Sequence, residues 1–138
     1  MSLKLLQRVS GRAHAQEVAA PLLLAEVTGI NAKSTGTTTL YTVPSGSTVV
    51  ILEVVLRCTA ATDITAPAEA GVGIAAGEDD IFASQPLYGL TATGKQFTFP
   101  NGGLAATAQS DEVIKLGIDT AATGTSQTLD ADIIGYEV

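Results

Sequence analysis

Thr48–Thr59 reads TVVILEVVLRCT, and this stretch decides the fold class. It is dense in Val, Ile, Leu and Thr, residue types that suit a pleated, half-buried surface. Successive side chains of a strand point to opposite faces. Strict alternation places Val50, Leu52, Val54, Leu56 and Cys58 on one face, which is the expected core face. Val49, Ile51, Glu53, Val55 and Arg57 then share the other. That second face holds two charges but is otherwise β-branched and apolar, more so than a face turned to water usually is. The expectation is that an arm, a loop or a neighbouring subunit covers part of it.

Outward from this strand, the punctuation is regular. Thr37–Val43 (TTTLYTV) is a strand candidate closed by the turn signal Pro44-Ser45-Gly46. Downstream, Ala70–Ala76 and Asp80–Ser84 flank a break at Gly77-Glu78-Asp79-Asp80, and Lys95–Phe99 stops at Pro100-Asn101-Gly102-Gly103. Val113–Thr120 and Thr128–Val138 complete the set, with a loop at Gly124 between them. Alternation turns Ile114, Leu116 and Ile118 inward, and gives Phe97 and Phe99 a common face. Short strands with frequent breaks, and no helical pattern between them, predict an all-β antiparallel sandwich, with the jelly roll as the expected form.

The first 29 residues read differently, and the expected organisation is an N-terminal arm over 1–29 and a sandwich over 30–138. Leu3, Leu5, Leu6 and Val9 have helical spacing for a turn or two, but Gly11 breaks the first apolar piece and Pro21 the second. Neither piece is long enough to hold a helix alone, so its leucines need cover. Val18–Ala25 (VAAPLLLA) has the apolar character of a short signal-peptide core, but Gln16 and Glu17 border it and Pro21 interrupts it, so an arm is the expectation.

Charge divides along the same line. The chain of 138 residues carries a net charge of −7, yet residues 1–33 hold Lys4, Arg8, Arg12 and Lys33 against Glu17 and Glu26, a net of +2 that leaves −9 for the remainder. An acidic body repels phosphate backbones, which argues against nucleic acid as a partner. No run approaches the ~20 apolar residues that cross a bilayer, so no membrane partner is expected. One cysteine, Cys58, excludes a disulfide framework within the chain.

Catalytic equipment is scarce. A nucleophile–base–orienter triad needs an imidazole or its equivalent, and the only histidine, His14, sits in the arm beside Arg12. Cys58 alternates into the core, where a thiol behaves as a small hydrophobe. Asp130 and Asp132 share one strand face ~7 Å apart, a spacing compatible with paired carboxylates, but alternating Asp on a wet face is common. Glu78, Asp79 and Asp80 offer hard oxygen ligands for calcium, without EF-hand spacing; the plainer reading is a turn in which Asp caps backbone donors. There is no zinc, P-loop or dinucleotide motif. No enzyme activity and no cofactor are expected.

Two stretches carry a resemblance. Gly36–Gly46 (GTTTLYTVPSG) resembles the opening hairpin of small jelly-roll proteins of tailed bacteriophages, and Ile118–Val138 (IDTAATGTSQTLDADIIGYEV) resembles their closing strands. With Val49–Leu56 between them, the likeness spans residues 30–138 and leaves the arm outside. The resemblance implies a structural virion protein, a capsid decoration (cement) or head-fibre protein, assembled in the host cytoplasm. It implies a homo-oligomer, with a trimer favoured, and the major capsid protein or another virion protein as partner. The interface expected for such a role comprises Leu3, Lys4, Leu5, Leu6, Arg8 and Arg12 of the arm, together with Val49, Ile51, Glu53, Val55 and Arg57. Two alternatives stay open: a tail- or fibre-associated receptor- or carbohydrate-binding module using the loops at Glu78–Asp80, Gln85–Leu90 and Pro100–Gly103, and a secreted adhesin cleaved near residues 25–32.

Overall fold

The computed structural model describes residues 22–100 and 106–138. Among them, nine strands run in chain order: β1 (Leu22–Asn31), β2 (Gly36–Thr42), β3 (Val49–Thr62), β4 (Glu69–Gly73), β5 (Phe82–Pro86), β6 (Gln96–Thr98), β7 (Ala106–Ala108), β8 (Val113–Thr120) and β9 (Ser126–Glu137). They form two antiparallel sheets. One has the order β1-β9-β3-β6, with β7 also paired to β3, and is called the β9 sheet below; the other, the β8 sheet, has the order β2-β8-β4-β5. The first strand pairs with the last and the second with the next to last, as when a long hairpin is rolled into two layers. That is the strand order of a jelly roll, and the expected all-β sandwich is borne out. β6 and β7 occupy successive stretches of one edge of β3, opposite Val55–Arg57 and Val49–Ile51 respectively.

The core lies between the sheets. Val49, Ile51, Val54, Leu56 and Cys58 of β3 meet Leu129, Ala131 and Ile133 of β9 and Ile114, Leu116 and Ile118 of β8, all buried. Phe99 stacks on Phe82 at 5.7 Å between ring centroids and takes Phe97 edge-on at 5.2 Å. Gln127, also buried, donates from Nε2 to the Leu90 carbonyl, which satisfies its side-chain amide inside the sandwich.

This inventory corrects the expected faces of β3. Val49 and Ile51, assigned to the outer face by alternation, are fully buried, while Val50 and Leu52, assigned to the core, are half-buried and outside it. The cause is a β-bulge. Ile51 pairs with Gly135 and Glu53 with the very next residue on β9, Ile134, so Leu52 is an extra residue on β3. One inserted residue shifts the alternation by one position. From Glu53 onward the expected phase holds: Val54, Leu56 and Cys58 face inward, Glu53, Val55 and Arg57 outward.

Residues 22–29, expected within the arm, belong to β1 and pair with β9 from Leu22 opposite Gly135 to Asn31 opposite Thr128. Two register shifts, one skipping Leu24 and one between Val27 and Ile30, break the alternation that would have marked this strand. The arm residues Leu3, Lys4, Leu5, Leu6, Arg8 and Arg12, together with His14, lie outside the described residues.

On the outside of the β8 sheet, three glycines make room for a loop. The segment 74–81 folds back across β4 and β8. A Cβ on Gly73 would lie 2.7 Å from the Asp79 amide nitrogen, one on Gly71 2.9 Å from the Glu78 carbonyl oxygen, and one on Gly117 2.8 Å from the Glu78 Cβ. Asp80 Oδ1 accepts hydrogen bonds from the amides of Ile74 (2.7 Å) and Ala75 (3.3 Å) and so ties the loop down.

Candidate interface on the β9 sheet

The cross-strand register fixes what the outer face of the β9 sheet presents, because directly paired residues share a face. Leu23 of β1, Ile134 of β9 and Glu53 of β3 form one row. Val50 and Tyr136 form a second beside it, continued by Thr107 of β7. Glu26, Asp132, Val55 and Thr98 form a third, and Asp130, Arg57 and Gln96 a fourth. The face is therefore divided. Its β7 end is apolar: Val50, Ile134 and Tyr136 are half-buried yet lie outside the sandwich core, and Leu23 is 60% exposed.

The other half is ionic. Arg57 Nη2 donates to Glu26 Oε2 at 2.6 Å and to Asp132 Oδ1 at 3.0 Å, bridging β3, β9 and β1. The hydrogen bond to Glu26 is the main influence raising the guanidinium pKa; desolvation opposes it, and the charges of Asp132, Glu26 and Asp130 add to it. Arg57 thus stays cationic at every ordinary pH. Its Nε is buried without a hydrogen-bond partner. Asp130 Oδ1 accepts from the Gly29 amide at 3.1 Å, at a position where Gly29 has φ of 74° and β1 is irregular. The two aspartates weighed for acid–base chemistry are thus engaged in joining β1 to β9 and β3, one as an ion-pair partner and one as a backbone acceptor.

The expected interface residues of β3 divide accordingly. Glu53, Val55 and Arg57 are on the outer face, while Val49 and Ile51 are in the core. Sequence reasoning missed Leu23, Glu26, Val50, Ile134 and Tyr136. Ile134 and Tyr136 had a legible signal, since they share the alternation of Asp130 and Asp132. Leu23 and Glu26 did not, because the bulges of β1 hide its period.

The calcium candidate does not assemble. Asp80 is committed to the Ile74 and Ala75 amides, Glu78 lies over Gly117, and no group of three or more His, Cys, Asp or Glu among the described residues is placed to hold a metal ion. A shallow hollow of about 170 Å³ is lined by Asn31, Ser34–Thr38 and Ile118, with hydroxyl and amide groups but no carboxylate, imidazole or thiol among them. Among the described residues, no helix is long and apolar enough to cross a membrane.

No protein-family model matches the chain, and no curated protein matches its sequence. Its fold is similar to chains in solved phage structures. A chain of the cyanophage Pam1 capsid asymmetric unit superposes with a TM-score of 0.58 at 17% identity, covering 86% of this chain and 85% of that one. A chain of the acidic stable capsid structure of Helicobacter pylori bacteriophage KHP30 superposes with a TM-score of 0.58, also at 17% identity, covering 87% of this chain and 98% of that one. At this level of identity the likeness is one of fold. It extends over most of each chain, and the matched chains are of comparable length to this one.

Proposed function

We propose that the chain is a structural component of a tailed-phage particle, a decoration (cement) or head-fibre protein seated on the outer capsid surface, with no catalytic activity of its own. The observation that carries this reading is the similarity of 86–87% of this chain to chains of two phage capsid structures of comparable length. A small chain aligned over most of its length suits an accessory subunit added to a shell.

The divided face of the β9 sheet supports the same reading. Contiguous apolar surface on a small domain marks a contact with another macromolecule, and here it adjoins a fixed ionic cluster of Arg57, Glu26 and Asp132 that would set the register of docking. Residues 1–21, basic and leucine-bearing, add a segment whose side chains suit contact with a neighbour.

Quantitative mass spectrometry of particles purified from the source culture tests the proposal. The expected result is hundreds of copies per particle, in fixed ratio to the major capsid protein. A handful of copies would move the chain to the tail or a vertex, and its absence from particles would end the virion reading.

A further inference from the structure

We infer that the outer face of the β9 sheet is the docking surface for residues 1–21 of a second copy of this chain. The inference refines the reading above by naming what covers this face. It can fail while that reading survives, because it concerns contacts between purified chains.

The chemistry of the two surfaces matches. The face carries an apolar patch of Leu23, Val50, Ile134 and Tyr136. Beside it stand the carboxylates of Glu26, Glu53, Asp130 and Asp132 against the single guanidinium of Arg57, so the face is anionic. Residues 1–21 have the opposite balance: Lys4, Arg8 and Arg12 against Glu17, with Leu3, Leu5, Leu6 and Val9 interspersed. Leucines interleaved with cations suit a surface on which an apolar patch adjoins fixed carboxylates.

The direction of the chain decides whose face is covered. β1 begins at Leu22, opposite Gly135, and runs away from the C-terminal end of β9 toward Asn31. Leu22, to which residues 1–21 are joined, therefore stands at that end of the sheet. Pro21 has a fixed φ, and it biases Ala20 to an extended conformation. Residues 12–20 read RAHAQEVAA and contain no Gly, Pro, Asn, Asp or Ser, the residue types that reverse a chain. Counting back from Pro21, Ser10-Gly11 is the first turn signal. These nine residues span roughly 30 Å when extended. A segment of that reach would carry the apolar residues at positions 3–9 beyond their own sandwich, to a second copy. Reciprocal exchange of arms covers the same patch on each subunit and closes the oligomer.

Cross-linking of the purified full-length chain tests this directly, because Lys4 is the only lysine before Lys33. A zero-length amine–carboxylate reagent should join Lys4 to Glu26, Glu53, Asp130 or Asp132, and mass spectrometry should find these links in the covalent dimer or higher band. The same links confined to the monomer band would show that the arm folds onto its own sheet and would overturn the inference. Lys4 links only to other surfaces, or none in a chain that stays monomeric, would also overturn it. Ile134→Glu should abolish the cross-linked dimer while unfolding stays cooperative. If that variant fails to fold, Leu23→Glu, at a position 60% exposed, serves the same purpose; a Leu23→Glu chain that cross-links like the parent contradicts the proposed surface.

Discussion

Replacing Val49 and Val50 by alanine, one at a time, probes the bulge that sets the phase of β3. The two residues are chemically identical neighbours, so any difference in cost is a difference in environment. Val49 is fully buried, opposite Ala108 and Glu137, while Val50 sits on the outer face opposite Thr107 and Tyr136. Removing two methyl groups from Val49 forfeits about 1.6 kcal/mol of transfer free energy at ~0.8 kcal/mol per carbon. The cavity left between the sheets raises the total to about 2–3 kcal/mol. Val50 keeps part of its surface in water and leaves no enclosed void, so the same deletion costs about 0.5–1 kcal/mol. In urea titrations, with a slope of about 2 kcal/mol/M for a domain of this size, the Val49→Ala midpoint should fall by roughly 1 M and that of Val50→Ala by less than half as much. Equal costs, or a larger cost at Val50, would refute the bulge at Leu52 and restore the strict alternation that the sequence suggests.

Gly73→Ala should destabilise by about 2–3 kcal/mol in thermal or urea unfolding, because its Cβ would meet the Asp79 and Asp80 amides of the loop packed over it. Asp80→Ala removes the acceptor for two loop amides and should cost about 1–2 kcal/mol; for the same reason calcium should leave the melting temperature unchanged, and a rise of several degrees would reinstate a metal site at that turn. Tyr41 has its phenol pKa raised, by burial first and by the charge of Glu137 second. Its stabilising contribution is complete below the unfolded-state value of about 10 and is lost as pH rises through the higher folded-state value. Tyr41→Phe should therefore flatten the alkaline loss of stability, and the raised titration should vanish from the tyrosinate absorbance of the variant.

The fold class and most of its strands were legible because the relevant stretches keep a period of two. Val113–Ile118 keeps strict alternation, and its inward Ile114, Leu116 and Ile118 are where alternation puts them. Cys58 was legible for the same reason, since it follows the bulge in β3 in the phase counted back from Arg57. Where an extra residue enters a strand, the pattern stops being informative. Leu52 exchanges the roles of Val49 and Val50, and nothing in VVILEV announces it. β1 is harder still: two register shifts and the positive φ of Gly29 leave it looking like irregular arm, and only the partner strand β9 gives it order. β7 is three alanine- and threonine-type residues, too short and too plain to call a strand without β3 beside it. The interface was half legible. Glu53, Val55 and Arg57 came from the alternation of one strand, but Leu23, Glu26 and Ile134 join them only through register between strands far apart in sequence.

Cryo-electron microscopy of particles purified from the source culture tests the central claim most directly. Density for this sandwich is expected in symmetry-related copies on the outer surface of the capsid shell, with the face bearing Leu23, Val50 and Ile134 covered. Density confined to the tail, or a fully decorated shell whose accessory subunits have a different fold, would contradict it.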